Sequence, residues 1–290
     1  MTDPVRKGLP FPDGAVSCVE WESGGPLFHF AHATGFNAET YRSLLAPLAA
    51  RFRVVASDAR GHGFTTLPAT LDLPNGWTVY RDDLLRILDV LDGGPAILCG
   101  HSMGATVSLM AAALRPVRLR ALVLLEPVMI PRFGRFFRLS ARGSRINPSP
   151  NLADRAARRR DRFASFDAAL AAYTGRGAFK SWPTEMLSDY LKGGLVRDAS
   201  DGTVRLACAP AWEAATFRAA PYGIARLARR VSCPIVMIRG TIASMCFASE
   251  AALFERGGAR VVTVEGASHF LPMEYPGLVR DEIKRLAETL

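Results

Sequence analysis

The run Ala96-Ile97-Leu98-Cys99-Gly100-His101-Ser102-Met103-Gly104-Ala105-Thr106-Val107-Ser108-Leu109-Met110-Ala111-Ala112-Ala113-Leu114 joins a strand-like apolar segment to a helix-forming one through a Gly-x-Ser-x-Gly turn. Strand, sharp turn and helix is the context in which that motif forms a nucleophile elbow. Gly100 and Gly104 carry no Cβ, so the turn can be tight and strained. Such a turn lifts the Ser102 hydroxyl above the sheet and sets it at a helix N-terminus. The backbone N–H of Met103 is then available to a developing oxyanion.

Outward from this run, apolar segments recur at Val16–Trp21, Leu27–Ala31, Arg53–Ser57, Leu119–Leu125, Ile235–Arg239 and Arg260–Val264. Several are continuous, as expected of strands covered on both faces of a parallel sheet. Helical patterns at Glu39–Arg51, Val79–Leu91, Met103–Leu114, Ser249–Arg256 and Gly277–Leu290 fall between them. In Val79–Leu91, Leu84, Leu85, Leu88 and Leu91 share one side, and Arg81, Asp82 and Asp89 another. Strands alternating with helices predict a doubly wound, mostly parallel α/β sheet.

The alternation stops after Leu125 and resumes near Cys233. A structureless loop of that length is implausible. The segment therefore reads as a helical cap, residues 128–232, inserted into a core formed by 1–127 and 233–290. Its expected parts are a turn-rich basic stretch from Pro131 to Pro150, a charged helix around Asp154–Tyr173, and shorter helices ending near Arg230.

Charge follows the same division. The net charge is +9, yet residues 128–232 hold 19 basic and 8 acidic side chains, so the whole excess lies in the cap. Only four of the basic residues in the chain are lysines. A solvated helical face and a GC-rich genome account for this. So does an anionic substrate, carrier or surface approached by the arginines Arg155, Arg158, Arg159, Arg160 and Arg162. The chain opens without an apolar leader pattern, and no apolar run approaches membrane-spanning length. Five cysteines, odd in number and without metal-ligand spacing, read as reduced thiols of a cytoplasmic protein. No nucleotide loop, zinc motif or dinucleotide fingerprint is present. The expected partner is a small-molecule or acyl substrate rather than nucleic acid, with no cofactor or metal. The oligomeric state is open.

Acyl transfer needs a nucleophile, a base, an acid that orients the base, and donors for the oxyanion. Of five histidines, His29 lies in a strand, His32 and His62 in glycine-containing loops, and His101 beside the serine. His269, in Gly266-Ala267-Ser268-His269-Phe270, follows the last strand, at the sheet edge where the elbow opens. It is the expected base.

Four landmarks now stand in order: His32-Ala33-Thr34-Gly35-Phe36, Asp58-Ala59-Arg60-Gly61-His62-Gly63, Gly100-His101-Ser102-Met103-Gly104 and Gly266-Ala267-Ser268-His269-Phe270. Together they resemble the α/β-hydrolase superfamily over the whole chain apart from the cap. The resemblance implies a second oxyanion donor in the loop after His32, at Thr34 or its neighbour Gly35. Ala33 stands where a glycine is more usual. For Asp58 to Gly63 it implies a structural turn.

It also exposes a departure. The acid often follows the strand after the cap, but Gly240-Thr241-Ile242-Ala243-Ser244-Met245-Cys246-Phe247 holds no carboxylate before Glu250. A second known placement ends the strand before the cap, where Glu126 sits. A buried carboxylate needs a partner, and His269 would be that partner. The other reading of Glu126 is an ion pair with a cap arginine. Met103, Met110 and the cap aromatics Phe133, Phe136, Phe137, Phe163, Phe166, Tyr173, Phe179 and Trp182 are candidates for an acyl pocket or for packing.

The expected activity is hydrolysis of an ester, or a thioester, through Ser102. Carbon–carbon bond hydrolases, cofactor-free perhydrolases, esterases for acyl groups on acidic carrier proteins, and ligand-binding relatives share the fold and remain alternatives.

Overall fold

The computed structural model describes residues 3–92, 94–132 and 152–290. Eight strands form the main sheet: β1 (Val5–Phe11), β2 (Gly14–Trp21), β3 (Leu27–Ala31), β4 (Arg53–Ser57), β5 (Ala96–His101), β6 (Leu119–Leu125), β10 (Ile235–Ile242) and β11 (Arg260–Ser268). Their spatial order is β1-β2-β4-β3-β5-β6-β10-β11. β2 runs antiparallel to β1 and β4, and from β4 to β11 every pairing is parallel.

Alternation along each strand divides the core in two. Phe28, Phe30, Ile97, Cys99, Val123, Leu125, Val236 and Ile238 face one layer. That layer is covered by α1 (Arg42–Leu45) and α10 (Pro276–Ala287). Leu27, Leu98, Leu122, Leu124 and Met237 face the other. There α2 (Thr78–Val90), α3 (Met103–Leu114) and α8 (Ala248–Arg256) cover the sheet. Both faces of the central strands are dry, which is why their sequences read as unbroken apolar runs.

Four local expectations need correction. β1 was not expected: it is an edge strand carrying Arg6, Lys7 and Pro10, a composition tolerated where one side of the ladder is open. The pattern over Glu39–Arg51 is a single turn of α-helix, α1, between 3-10 turns at Ala38–Tyr41 and Ala46–Ala50. The charged segment around Asp154–Tyr173 is two helices, α4 (Leu152–Ala157) and α5 (Phe166–Tyr173), separated by the two-residue strand β7 (Arg162–Phe163). Residues 128–232 are also not purely helical, because β7, β8 (Leu195–Arg197) and β9 (Val204–Leu206) form a small antiparallel sheet. The longer helices of this segment are α6 (Thr184–Gly194) and α7 (Pro210–Arg218). Most of the stretch from Pro131 to Pro150 lies outside the described residues.

Candidate active site

Ser102 follows β5 and caps α3 at φ 56°, ψ −115°. That backbone is strained for a residue with a Cβ, and its neighbours explain why it persists. A Cβ on Gly104 would strike the Ala31 and His32 carbonyls, and one on Gly100 would strike the backbone of Gly104 and Ala105. The Ser102 N–H is tied to the Leu125 carbonyl at 3.0 Å. Ser102 is 6% exposed.

His269 follows β11 and the short helix α9 (Leu271–Glu274) follows it. Its Nε2 lies 2.9 Å from Ser102 Oγ, and its Nδ1 lies 3.0 Å from Glu126 Oε2. In this network Nδ1 keeps its proton and donates a hydrogen bond to the carboxylate, and Nε2 is free to accept from the serine. Glu126, fully buried, also has positive φ, at 45°. It points at His269, and no arginine among the described residues reaches it.

The end of β10 and the loop that follows it, which hold no acid, supply donors instead. Glu126 Oε1 accepts from the Gly240 N–H at 2.5 Å and the Ser244 hydroxyl at 2.7 Å. Oε2 accepts from the Met245 N–H at 3.3 Å as well as from His269. The register between β10 and β11 shifts between Gly240 and Ile242. Ala243 in the same loop takes φ 49°. A buried carboxylate is costly without partners, and this loop provides them. Ser244 was not singled out from sequence; a serine among apolar residues carries no distinguishing signal. Glu250, the next carboxylate along, sits in the first turn of α8.

The loop after β3 is organised by two buried histidines. His32 Nε2 accepts from the Ala59 N–H at 2.8 Å, and its Nδ1 donates to the Ala33 carbonyl at 2.7 Å. His62 Nε2 accepts from the Gly35 N–H at 3.0 Å, and its Nδ1 donates to the Arg60 carbonyl at 3.0 Å. Burial pushes His32 down to about 4 and His62 down to about 3, so both are neutral. Gly35 is thus committed to His62. The Phe36 N–H returns to the Ala33 carbonyl, and the Ala33 N–H meets the Tyr41 hydroxyl. The Thr34 N–H has no acceptor among the described residues. The Met103 N–H opens α3, where no earlier helical carbonyl can take it.

Asp58 is structural, accepting from the Ala38 and Phe64 N–H groups and pairing with Arg6 at 3.0 Å. His101 does not approach the serine hydroxyl. Its Nδ1 meets the Tyr41 hydroxyl at 2.7 Å and its Nε2 the His269 carbonyl at 2.8 Å, which holds the His269 loop from below.

An aromatic cluster adjoins the site through Phe270, the residue after His269. Phe36 contacts Trp182 at 5.2 Å, Tyr190 at 5.6 Å and Phe270 at 6.3 Å between centroids. Tyr173 and Phe179 extend it, and Phe163 packs on Tyr173. Phe166 packs against the same core layer. Met103 and Met110 are buried in the opposite core layer. Phe133, Phe136 and Phe137 lie outside the described residues. Among the described residues no group of acidic, histidine or cysteine side chains could hold a metal. None of their helices is long and apolar enough to cross a membrane.

Comparison with known proteins bears on the whole chain. It is 29% identical over 257 residues to a 2-(acetamidomethylene)succinate hydrolase of Mesorhizobium japonicum, covering 87% of this chain and 84% of that protein. It is 34% identical over 139 residues to an epoxide hydrolase of Caballeronia sordidicola, covering 46% of this chain and 41% of that protein. The crystal structure of an E-2-(acetamidomethylene)succinate hydrolase matches at TM-score 0.81 and 26% identity over 98% of this chain and 99% of that one. A thioesterase domain from the curacin biosynthetic pathway shares the fold at TM-score 0.78 and 18% identity, over 98% and 100% of the two chains. The family model for the alpha/beta hydrolase family matches residues 30–282, and the chain belongs to that family.

Proposed function

We propose that this chain is a serine hydrolase that cleaves a carboxylic ester through an acyl-enzyme on Ser102. The observation that carries the reading is the continuous hydrogen-bonded line Ser102–His269–Glu126, with contacts of 2.9 and 3.0 Å. His269 Nε2 takes the Ser102 proton as Oγ attacks the carbonyl carbon. Glu126 holds the Nδ1–H tautomer and stabilises the imidazolium that forms. The negative charge that develops on the carbonyl oxygen is met by the Thr34 and Met103 N–H groups. His269 then passes its proton to the leaving alcohol as the ester C–O bond breaks. Water, deprotonated by the same nitrogen, releases the acid and regenerates Ser102. A thioester fits the same steps with a thiol as leaving group.

The segment 128–232 serves as the cap over this site, and residues 1–127 and 233–290 as the catalytic core. The aromatic cluster that Trp182 and Tyr190 build over Phe36 and Phe270 supports that division. Free cysteines, all but Cys233 buried, support a reducing, cytoplasmic setting.

The test is turnover of short p-nitrophenyl esters together with mass spectrometry of the quenched protein. Steady release of nitrophenol with an acyl adduct on the Ser102 peptide is expected. Turnover without an adduct on Ser102 in rapid-quench samples, persisting in Ser102→Ala, overturns the assignment.

A further inference from the structure

Among Arg155, Arg158, Arg159, Arg160 and Arg162, only Arg159 turns inward: its side chain is 17% exposed, and the other four residues are exposed. Arg159 Nε donates to the Tyr173 hydroxyl at 3.1 Å, Nη1 donates to Glu213 Oε2 at 3.1 Å, and Nη2 donates to the Tyr190 hydroxyl. The guanidinium carbon lies 5.1 Å from the Tyr173 ring centre and 5.7 Å from that of Tyr190.

Two of these partners rest on the loop that holds Thr34. The Glu213 carboxylate occupies the space a Cβ on Gly35 would need. Tyr190 packs on Phe36. Arg159 is therefore one side chain away from the loop that holds Thr34. Trp182 contacts Phe36 and also Phe270, the residue after His269.

Donors in this cluster outnumber acceptors. A guanidinium has five N–H bonds, and the contacts above use three of them. Tyr190 accepts from Arg159, and its own O–H has no acceptor among the described residues. Trp182 Nε1 is a buried donor with no partner among the described residues, on a residue 8% exposed. A buried indole N–H left in this way calls for an acceptor. Glu213 offsets part of the guanidinium charge. The charge that remains suits a planar monoanion better than a dianionic phosphate, and the flat aromatic walls suit its shape.

We propose that Arg159, Tyr190 and Trp182 form a subsite for a carboxylate carried by the substrate. The substrate class is then a small ester bearing a free carboxylate, an inference that rests on the hydrolase reading of Ser102.

The experiment compares phenyl pentanoate with the mono-phenyl ester of glutaric acid, after subtraction of uncatalysed hydrolysis. The parent protein is expected to favour the glutarate ester in kcat/KM. In Arg159→Gln the loss on the glutarate ester should exceed the loss on the pentanoate ester by at least about 30-fold, the range of a hydrogen-bonded charge pair. Arg159→Lys, which keeps the charge without the fork, should fall between. Glu213→Gln frees the guanidinium of its competitor and should raise the glutarate preference severalfold. Equal losses on both esters in Arg159→Gln, or an unmoved ratio in Glu213→Gln, overturn the subsite and leave the ion pair as a cap fastening. Calorimetric titration with glutarate decides the subsite without turnover: binding by the parent supports it and no binding overturns it. Labelling of Ser102 by a fluorophosphonate tests the hydrolase reading separately, so the two can fail independently.

Discussion

The backbone N–H of Ser102 donates to the carbonyl of Leu125 at 3.0 Å, and Leu125 immediately precedes Glu126. His101 and Leu125 are register partners in the parallel β5–β6 ladder. The two strand ends that carry the serine and the carboxylate are thus held by the ladder itself, and His269 needs only to bridge them from the end of β11.

Ser102→Ala should abolish stoichiometric labelling by a fluorophosphonate. It removes one oxygen and leaves the φ of 56° to an alanine, a residue type that already holds φ 49° at position 243. The unfolding midpoint should stay close to that of the parent. Labelling that moves to another serine, or persists, places the nucleophile elsewhere.

Gly104→Ala tests how tightly the elbow is packed. The new methyl would meet the Ala31 and His32 carbonyls, backbone atoms that cannot swing aside. Overpacking of this kind costs about 1–3 kcal/mol. The midpoint in urea should fall, and the labelling rate of Ser102 with it, because the loop holding Thr34 is displaced. Gly277→Ala is the control: its methyl meets nothing within 4 Å at the start of α10, so stability should hold or rise slightly. Equal behaviour of the two variants counts against the packing argument.

The elbow, His269 and Glu126 were legible because each sits where an apolar strand ends, and strand ends show in sequence. The donors around Glu126 were not. Whether the stretch from Gly240 onward carries an acid or receives one depends on the fold bringing Gly240 and Ser244 to Glu126, a contact across more than a hundred residues. The inward turn of Arg159 was equally hidden, since Arg158 and Arg160 beside it are the same residue and exposed. β1 escaped because edge pairing replaces burial as its reason to form, and its charges at Arg6 and Lys7 find partners only after folding.

Acid should destabilise the fold through its buried histidines. Burial lowers His29 to about 3, His32 to about 4 and His62 to about 3, against an ordinary value near 6.5. The unfolded chain binds these protons as the pH falls below about 6.5 and the folded chain does not. Stability is therefore full above about 6.5 and declines as the pH drops toward the folded values. Each buried ring adds a slope of at most about 1.4 kcal/mol per pH unit in that window. His62→Gln, whose amide oxygen can still accept from Gly35, should flatten the fall in urea midpoint between pH 7 and 5.5. An unchanged slope shows that His62 does not contribute.

Glu126→Gln probes most directly the orienting role proposed for this carboxylate. Its Oε1 accepts from the Gly240 N–H and the Ser244 hydroxyl, and its Oε2 from the Met245 N–H and His269 Nδ1. A glutamine must place an NH2 at one of these positions. At Oε1 the NH2 faces the Gly240 N–H, donor against donor at 2.5 Å. At Oε2 it favours the His269 tautomer with Nδ1 unprotonated, which turns an N–H toward Ser102 and removes the base. The analogous change in a serine protease costs on the order of 10⁴-fold in kcat, and a loss of at least about a hundredfold is expected here. Glu126→Asp keeps the charge but is one methylene shorter. It cannot hold both the Gly240 N–H and His269, so partial activity is expected, with a lower unfolding midpoint because a buried donor is left bare. Fluorophosphonate labelling rates separate the two variants without a substrate: near zero for the glutamine, slowed for the aspartate. A glutamine variant that labels and turns over at the parent rate removes Glu126 from the mechanism, whatever its distance to His269.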